Sequence, residues 1–269
     1  MTQIYVVDAF SDAPFRGNPA GVVLLESAVP DAWMQSVAAE LRHSETAFVG
    51  RLEKNGIRTL RWFTPVAEVE LCGHATIASA HVLGASVKFD TLSGILTCEV
   101  GESGVIWMNL PADPPERVSL ASLDLRFVER CNVVAAARGR FDLLLELESE
   151  AEVRQAIVKY ENLAAKPYRG LILTAAGGRG ADIVSRCFYP SVGVPEDPVT
   201  GSAHCTLACW WSGKLFKGQL VAEQASTRGG TLKIELVSDR VWLGGICSTV
   251  IEGTLVADTA TRRTSPSVI

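Results

Sequence analysis

An internal repeat constrains this chain more than any other feature of its sequence. Residues 61–65 (RWFTP) and 71–76 (LCGHAT) have counterparts at residues 186–190 (RCFYP) and 199–204 (VTGSAH). The first two matching segments are 125 positions apart, and the glycines of the other two are 128 apart. Such self-similarity predicts two structural units of the same kind, and the interface between two units is a common place for a ligand cleft.

Each copy of the repeat has a glycine where a helix is predicted to begin, Gly73 in the first and Gly201 in the second. The predicted helices, from about residue 74 to 83 and from about 202 to 211, are apolar on most sides, so they must be enclosed. Because the rest of each half has strand-like patterns, we expect a sheet to wrap around each helix. Two helix N-termini that face one cleft would offer free N–H groups to an anion.

The proline-rich residues 110–116 are the best candidate for a linker between the halves. We therefore divide the chain into an N-terminal half, residues 1–113, and a C-terminal half, residues 114–269. The polar residues 258–269 are expected to form a frayed tail.

Two local expectations concern helices outside the repeat. Asp31 precedes residues 32–41, whose apolar positions recur at helical spacing, and it is expected to act as the N-cap of that helix. Residues 150–160 are expected to form one continuous helix.

Composition and charge exclude several classes of protein. The 269 residues carry a net charge of −5, so nothing attracts the chain to nucleic acid or to an anionic membrane. No apolar run approaches the length of a membrane span, and the N-terminus does not have the layout of a signal peptide. Seven scattered cysteines, an odd number without a CxxC pair, indicate reduced thiols, a cytoplasmic location and no metal site.

Glu45 is the first candidate for chemistry. It lies between a predicted helix and an apolar strand, where a carboxylate can have a raised pKa and act as a base. An exposed loop carboxylate explains the same sequence.

The segment Cys72-Gly73-His74 is the second candidate. Glycine lets the backbone approach a ligand closely, and His74 at a helix start can relay a proton or bind a substrate. Cys72 could be a thiolate, because helix N-termini lower the pKa of thiols. A histidine bonded to a nearby carbonyl and a small buried cysteine are the structural alternatives.

The third candidate is the pair Asp197 and Ser202, which lie on either side of the second glycine, Gly201. Both residues are ordinary helix caps, but the repeat places them opposite the Gly73-His74 segment, across the expected cleft. Loops around Asn18 and around Arg228-Gly229 are weaker signals. They can be plain turns, or they can line the cleft with Arg228 pairing with a substrate carboxylate.

At these residues the chain resembles the phenazine-biosynthesis PhzF-like family, within the diaminopimelate epimerase and proline racemase fold group. The matching segments are residues 17–20 (GNPA), 44–48 (SETAF), 61–65 (RWFTP), 70–76 (ELCGHAT), 196–204 (EDPVTGSAH) and 228–230 (RGG). The resemblance implies an α+β fold of two pseudo-symmetric domains, each a mostly antiparallel, barrel-like sheet around a central helix. It also implies a cofactor-free isomerase, similar to trans-2,3-dihydro-3-hydroxyanthranilate isomerase, that forms a homodimer.

Roles for particular residues follow from the same resemblance. The acid/base glutamate of the family matches Glu45, and its supporting residues match His74, Asp197 and Ser202. Related epimerases and racemases use one cysteine from each half. Cys72 occupies the first of these positions, but Thr200 occupies the second, and a hydroxyl cannot replace a thiolate at neutral pH.

The sequence therefore predicts an isomerase that moves a proton between carbons of a small carboxylate through Glu45. No cofactor, metal, nucleic acid or membrane partner is expected. The predicted substrate-binding residues are Asn18, Cys72, Gly73, Ala75, Thr200, Gly201, Arg228 and Gly229. Two alternatives remain: an amino-acid epimerase that uses Cys72, and a binding protein with little turnover on the same scaffold.

Overall fold

A computed structural model of the chain describes residues 2–178 and 180–256. The first half contains helices α1 (Asp31–Leu41) and α2 (Gly73–Leu83). Its strands are β1 (Thr2–Ala9), β2 (Asn18–Leu24), β3 (Thr46–Leu52), β4 (Ile57–Phe63), β5 (Glu68–Val69), β6 (Val87–Thr91), β7 (Gly94–Val100) and β8 (Ile106–Pro111).

The second half contains helices α3 (Glu150–Gln155), α4 (Tyr160–Ala164) and α5 (Gly201–Leu215). Short 3₁₀ turns cover Glu102–Gly104, Leu120–Ser122 and Pro190–Val192. The remaining strands are β9 (Glu116–Val118), β10 (Val128–Glu129), β11 (Val133–Arg138), β12 (Asp142–Leu147), β13 (Ile157–Val158), β14 (Gly170–Ala176), β15 (Ile183–Tyr189), β16 (Val194–Asp197), β17 (Gln219–Gln224), β18 (Gly230–Val237), β19 (Arg240–Gly245) and β20 (Cys247–Leu255).

The two halves have the same strand order. One sheet runs β20-β1-β2-β3-β4-β6-β7-β8, the other runs β9-β11-β12-β14-β15-β17-β18-β19, and β8 joins β19 antiparallel. The parallel pairs are β2 with β3 and β4 with β6 in the first half, and β12 with β14 and β15 with β17 in the second. Parallel neighbours need a crossover, and helices lie in these connections: α1, α2, α3 with α4, and α5. The predicted pseudo-symmetric α+β fold is confirmed.

Side-chain pairs repeat with the backbone. Arg61 on β4 binds Glu68 through two hydrogen bonds of 2.6 and 2.7 Å, and Arg186 on β15 binds Glu196 through two of 2.7 and 2.9 Å. Each guanidinium also lies over a phenylalanine ring of its own strand, 5.2 and 4.9 Å from the centroid. These pairs brace the segments that lead into α2 and α5.

The central helices are enclosed, as their sequences require. Every residue of α2 from His74 to Ala80 is buried, and α5 buries both Trp210 and Trp211. The indole N–H of Trp211 donates to Thr174 Oγ1 on β14 at 3.0 Å, so even the polar edge of this side chain has a partner inside the sheet. Each helix thereby fixes its own N-terminus relative to the surrounding strands.

The last described strand crosses between the halves. Residues 247–255 belong to the second half in the sequence-based division, but β20 pairs along its length with β1 in the first half. The short strand β9 has the equivalent place in the second half, because it follows β8 as β20 follows β19 and pairs with β11 as β20 pairs with β1. The expected frayed tail, residues 258–269, lies outside the described residues.

Two local expectations are corrected. Asp31 is the first residue of α1 rather than its cap: the cap position is Pro30, and the Asp31 carboxylate binds Arg61 at 2.6 Å. The helix expected over residues 150–160 is interrupted, because β13 pairs with β10 between α3 and α4. Within the described residues, no helix combines the length and apolarity that crossing a membrane requires.

Candidate active site

The N-termini of α2 and α5 meet at their glycines. A Cβ built on Gly73 would lie 3.6 Å from the Cα of Gly201, and one built on Gly201 would lie 3.7 Å from the Cα of Gly73. Cys72 and Thr200 precede the helices in extended conformations, and neither side chain caps its helix. The first N–H groups of both helices therefore remain available to a ligand, and both helix dipoles present their positive ends at one place.

A cavity of about 320 Å³ lies over this junction. It brings together the four predicted catalytic residues Glu45, His74, Asp197 and Ser202. Its other lining residues are Ser44, Leu71, Cys72, Gly73, Leu110, Phe141, Arg169, Tyr189, Val192, Val194, Val199, Thr200 and Gly201. Apolar walls with a few convergent polar groups are typical of a small-molecule site.

Glu45 directly precedes β3 and faces the start of α2. Its Oε2 lies 3.5 Å from His74 Nε2, and its side chain is one-fifth exposed. Burial raises the pKa of the Glu45 carboxyl above its ordinary value, because the charged form loses hydration. A carboxyl with a raised pKa can both accept and return a proton near neutral pH.

His74 is a neutral neighbour of this carboxyl. Burial lowers the pKa of His74 to about 4, so the imidazole does not form a true ion pair with Glu45 at neutral pH. Its Nε2 lies 3.4 Å from Ser44 Oγ, and its Nδ1 lies 3.5 Å from Cys72 Sγ. The ring can therefore exchange hydrogen bonds with a ligand without adding charge.

Asp197, at the end of β16, is held by neighbours from both halves. Its carboxylate accepts hydrogen bonds from Asn18 Nδ2 at 2.9 Å and from Thr200 Oγ1 at 2.5 Å. Gln224 ties down the backbone around it by donating to Asp197 O and accepting from Thr200 N. Burial raises the pKa of Asp197 to about 6, so the group is mainly ionised at neutral pH.

This pKa makes a prediction about stability. The folded protein holds the Asp197 proton up to about pH 6, whereas the unfolded chain releases it near pH 4. The contribution of Asp197 to folding is therefore present below pH 4 and is lost as the pH rises to 6. We therefore compare the free energy of unfolding of Asp197→Asn with that of wild type. The value for the variant minus the value for wild type is expected to increase by about 2 kcal/mol between pH 4 and 6.5. Urea unfolding at both pH values measures this, and an unchanged difference would contradict the assignment.

The cysteine and threonine that precede the glycines differ in chemistry. Burial, and then the charge of Glu45, raise the pKa of the Cys72 thiol well above its ordinary value, so Cys72 stays protonated. The hydroxyl of Thr200 donates a hydrogen bond to Asp197. The arrangement does not provide the thiolate base and the opposing thiol acid that a two-cysteine racemase needs, because Thr200 occupies the second position.

Arg169 and Asp142 are cavity neighbours that the sequence analysis missed. Arg169 directly precedes β14, donates to both carboxylate oxygens of Asp142 at 2.9 and 2.5 Å, and donates to Ser202 Oγ at 3.1 Å. The repeat contained a signal for this residue. The offset of 125 that relates Arg61 to Arg186 also relates Ser44 to Arg169.

Four predicted substrate-binding residues lie outside the cavity lining. Arg228 binds Asp8 at 2.7 Å and Gly17 O at 2.8 Å, so it closes a loop instead of facing the cleft. Gly229 accepts a hydrogen bond from the backbone N–H of Gly17 in the same loop pair. Asn18 does not line the cavity but donates a hydrogen bond to Asp197, which does. Ala75 is fully buried inside its sheet. The expected pairing of Arg228 with a substrate carboxylate is therefore corrected.

Glu45, Cys72 and His74 have ligand atoms within 4.8 Å of one another, which is close enough to hold a metal ion. A metal would have to displace the protons of the thiol and the carboxyl, and burial raises the pKa of both groups. The donor set thus fits proton transfer better than metal binding.

Comparisons with known proteins identify the family of this chain. The model of the PhzC-PhzF family, described as phenazine biosynthesis-like protein, matches residues 7–253. An uncharacterized isomerase of Halalkalibacterium halodurans is 43% identical, over 95% of this chain and 98% of its own. A crystal structure of a putative phenazine biosynthesis PhzC/PhzF protein from Clostridium difficile is 38% identical, with a TM-score of 0.87 over 95% of this chain and 99% of its own.

A more distant structure extends the likeness of the fold alone. A hydroxyproline epimerase from Agrobacterium vitis is 9% identical, with a TM-score of 0.58 over 94% of this chain and 91% of its own. The two halves of that epimerase have the same architecture as the two halves of this chain, although few of their residues are identical. With a family model matched over nearly its whole length and relatives of the same length at about 40% identity, the chain belongs to the PhzC-PhzF, phenazine biosynthesis-like family.

Proposed function

We propose that this chain is a cofactor-independent isomerase that moves a proton between carbons of a small carboxylate substrate, with Glu45 as the acid/base group. One observation carries the proposal: Glu45, a carboxyl with a raised pKa, faces a cavity floored by two helix N-termini, whereas the other cavity carboxyl, Asp197, is hydrogen-bonded to Asn18 and Thr200. The name of the Halalkalibacterium relative, an isomerase, supports the same reaction class.

The reaction balances without an oxidant or reductant. Glu45 removes a proton from an acidic C–H bond, and the electron pair of that bond enters the neighbouring π system. The substrate's carboxylate and the developing charge are stabilised by the N–H groups at Gly73 and Gly201. Glu45 then returns the proton to a different carbon of the same π system, which moves the double bond.

The second half has no carboxyl at the position that corresponds to Glu45. Gly170 corresponds to Glu45, since Thr46 pairs with Phe63 as Leu171 pairs with Phe188. A Cβ at Gly170 would lie 2.1 Å from the ring of Tyr189, so no larger residue fits there. Removal and return of the proton on one face of the substrate suit this arrangement better than a two-base racemisation.

His74 and Asp197 complete the proposed mechanism. The neutral imidazole can hydrogen-bond the substrate beside Glu45 without competing for its proton. The ionised carboxylate of Asp197 can accept a hydrogen bond from a substrate hydroxyl or amino group, which orients the ring or chain. Both residues line the cavity with Glu45.

The proposal is tested by incubating a panel of small carboxylates with the protein in D2O and following carbon-bound deuterium by NMR. Incorporation at one carbon, or a double-bond shift, supports the proposal. If no compound exchanges but several raise the melting temperature, the chain is a binding protein, and the proposal is overturned.

Cys72 gives a separate prediction against the epimerase alternative. Because its thiol stays protonated, Cys72→Ser is expected to keep exchange within about tenfold of wild type, whereas loss of an acid/base group costs about 10²–10⁴-fold. Initial exchange rates measure this, with buried Cys98→Ser as the matched control. A loss of a thousandfold in Cys72→Ser alone would favour the thiol mechanism.

A further inference from the structure

Arg169 is held rigidly at the edge of the cavity. Its Nε and Nη2 form a fork to Asp142, whose carboxylate is only 3% exposed. The rings of Phe141 and Tyr189 lie 4.9 and 5.1 Å from its guanidinium carbon. A planar guanidinium fixed by a bidentate carboxylate and two rings has little freedom to turn.

This geometry determines the hydrogen-bonding role of Ser202. Arg169 Nη2 donates to Ser202 Oγ at 3.1 Å, and a guanidinium can only donate. The serine oxygen is therefore the acceptor, and the hydroxyl proton of Ser202 takes no part in this hydrogen bond. Among residues 2–178 and 180–256, Ser202 Oγ makes no other hydrogen bond, and Ser202 lines the cavity. The hydroxyl proton is thus available to a ligand.

The two halves differ at this point. The counterpart of the Arg169–Ser202 contact is Ser44 Oγ with His74 Nε2 at 3.4 Å, in which both groups are neutral at pH 7. A guanidinium paired with Asp142 thus stands beside the N-terminus of α5, while the corresponding position at α2 has a serine. Glu45, which must carry negative charge to accept a proton, lies on the α2 side. The carboxylate of Asp197, beside the start of α5, already accepts hydrogen bonds from Asn18 and Thr200.

We infer that Arg169 is a positioning residue: held by Asp142, it fixes the Ser202 hydroxyl as a donor and draws the substrate's carboxylate to the α5 side of the cleft, away from Glu45. The inference rests on the proposed function, because it assumes a carboxylate substrate. It names which end of the site receives that group, and it leaves the reacting carbon beside Glu45.

A double-mutant cycle tests the inference with benzoate as the probe and benzamide as its neutral isostere. Binding is followed by the ¹⁵N amide signals of Gly73 and Gly201 in wild type, Arg169→Gln, Ser202→Ala and the double variant. We expect each single substitution to weaken benzoate binding about tenfold, and the double variant to bind within about threefold of the singles. Benzamide, which carries no charge, is expected to lose less affinity than benzoate in each variant.

Two further variants separate positioning from folding. Arg61→Gln removes a similar ring-stacked, bidentate arginine from outside the cavity lining, and we expect it to leave benzoate affinity unchanged. Arg169→Lys keeps the charge beside Asp142 but lacks the planar fork, so it tests the role if the glutamine variant does not fold. We expect it to weaken benzoate binding several-fold.

Three results would overturn the inference: no benzoate binding by wild type, unchanged benzoate affinity in the Arg169 variants, or single effects that multiply in the double variant. Multiplying effects would mean that Arg169 contacts the ligand independently of Ser202. These outcomes are distinct from failure of the proposed function. A protein with the expected cycle that exchanges no deuterium would contradict the isomerase alone.

Discussion

Glu45→Gln is expected to slow deuterium exchange and product formation about 10³-fold, while the protein keeps its fold. Glutamine has nearly the same size as glutamate and can occupy the same space next to His74, but it cannot accept a proton from carbon. General acid–base catalysis by one positioned group contributes about 10²–10⁴-fold, and the counterpart of Glu45 in the second half is Gly170, which has no side chain that could replace it. Single-turnover NMR in D2O with a substrate from the panel measures the effect.

The matched control for this variant is Glu40→Gln, which makes the same chemical change at an exposed glutamate on α1. It should exchange at the wild-type rate. Equal exchange by wild type and Glu45→Gln would remove Glu45 from its role, and the mechanism proposed above would fail with it. A loss in both variants would point to instability instead of chemistry, which their thermal unfolding curves would reveal.

Trp211→Ala is expected to lower the free energy of unfolding by about 4 kcal/mol. The indole is 4% exposed within the enclosed helix α5, and its N–H donates to Thr174 Oγ1. Truncation leaves a cavity inside the second sheet and removes that hydrogen bond. Urea unfolding monitored by circular dichroism measures the change.

Phe216→Ala provides the comparison, because this aromatic side chain lies just beyond α5 and is 94% exposed. We expect it to change the free energy of unfolding by less than about 0.5 kcal/mol. A loss of under about 1 kcal/mol in Trp211→Ala would mean that the sheet does not enclose the helix tightly. The predicted barrel-like wrapping would then need revision.

The repeat predicted much of this fold because duplication leaves the same marks in both halves. Helices that are apolar on most sides must be enclosed, and α2 and α5 are. Local patterns were less informative where tertiary pairing decides the structure. The alanine-rich segment Val133–Arg138 is strand β11 because β9 and β12 lie on either side of it. Residues 157–158 leave the expected helix because β10 offers them a partner.

In the candidate site, too, some features could be predicted from the sequence and others depended on tertiary contacts. The glycine-led helix starts indicated His74, Asp197 and Ser202, and the family resemblance added Glu45 to them; the cavity contains all four. Arg228 was a weaker candidate for binding a substrate carboxylate, and its guanidinium instead forms a salt bridge with buried Asp8. Which of several arginines faces a cleft depends on partners far away in the chain, and sequence spacing does not record those partners.

The sequence by itself determined the duplicated architecture, the two enclosed helices and the residue types around their N-termini, because periodicity and internal repetition are properties of the chain alone. Only the tertiary structure decided the electrostatics of the site. Burial raises the pKa of Glu45 and Asp197 and lowers that of His74. Asp142 and Ser202 reach Arg169 from other elements. Burial and hydrogen bonding are relations between distant residues, and they exist only once the two halves have closed around the cleft.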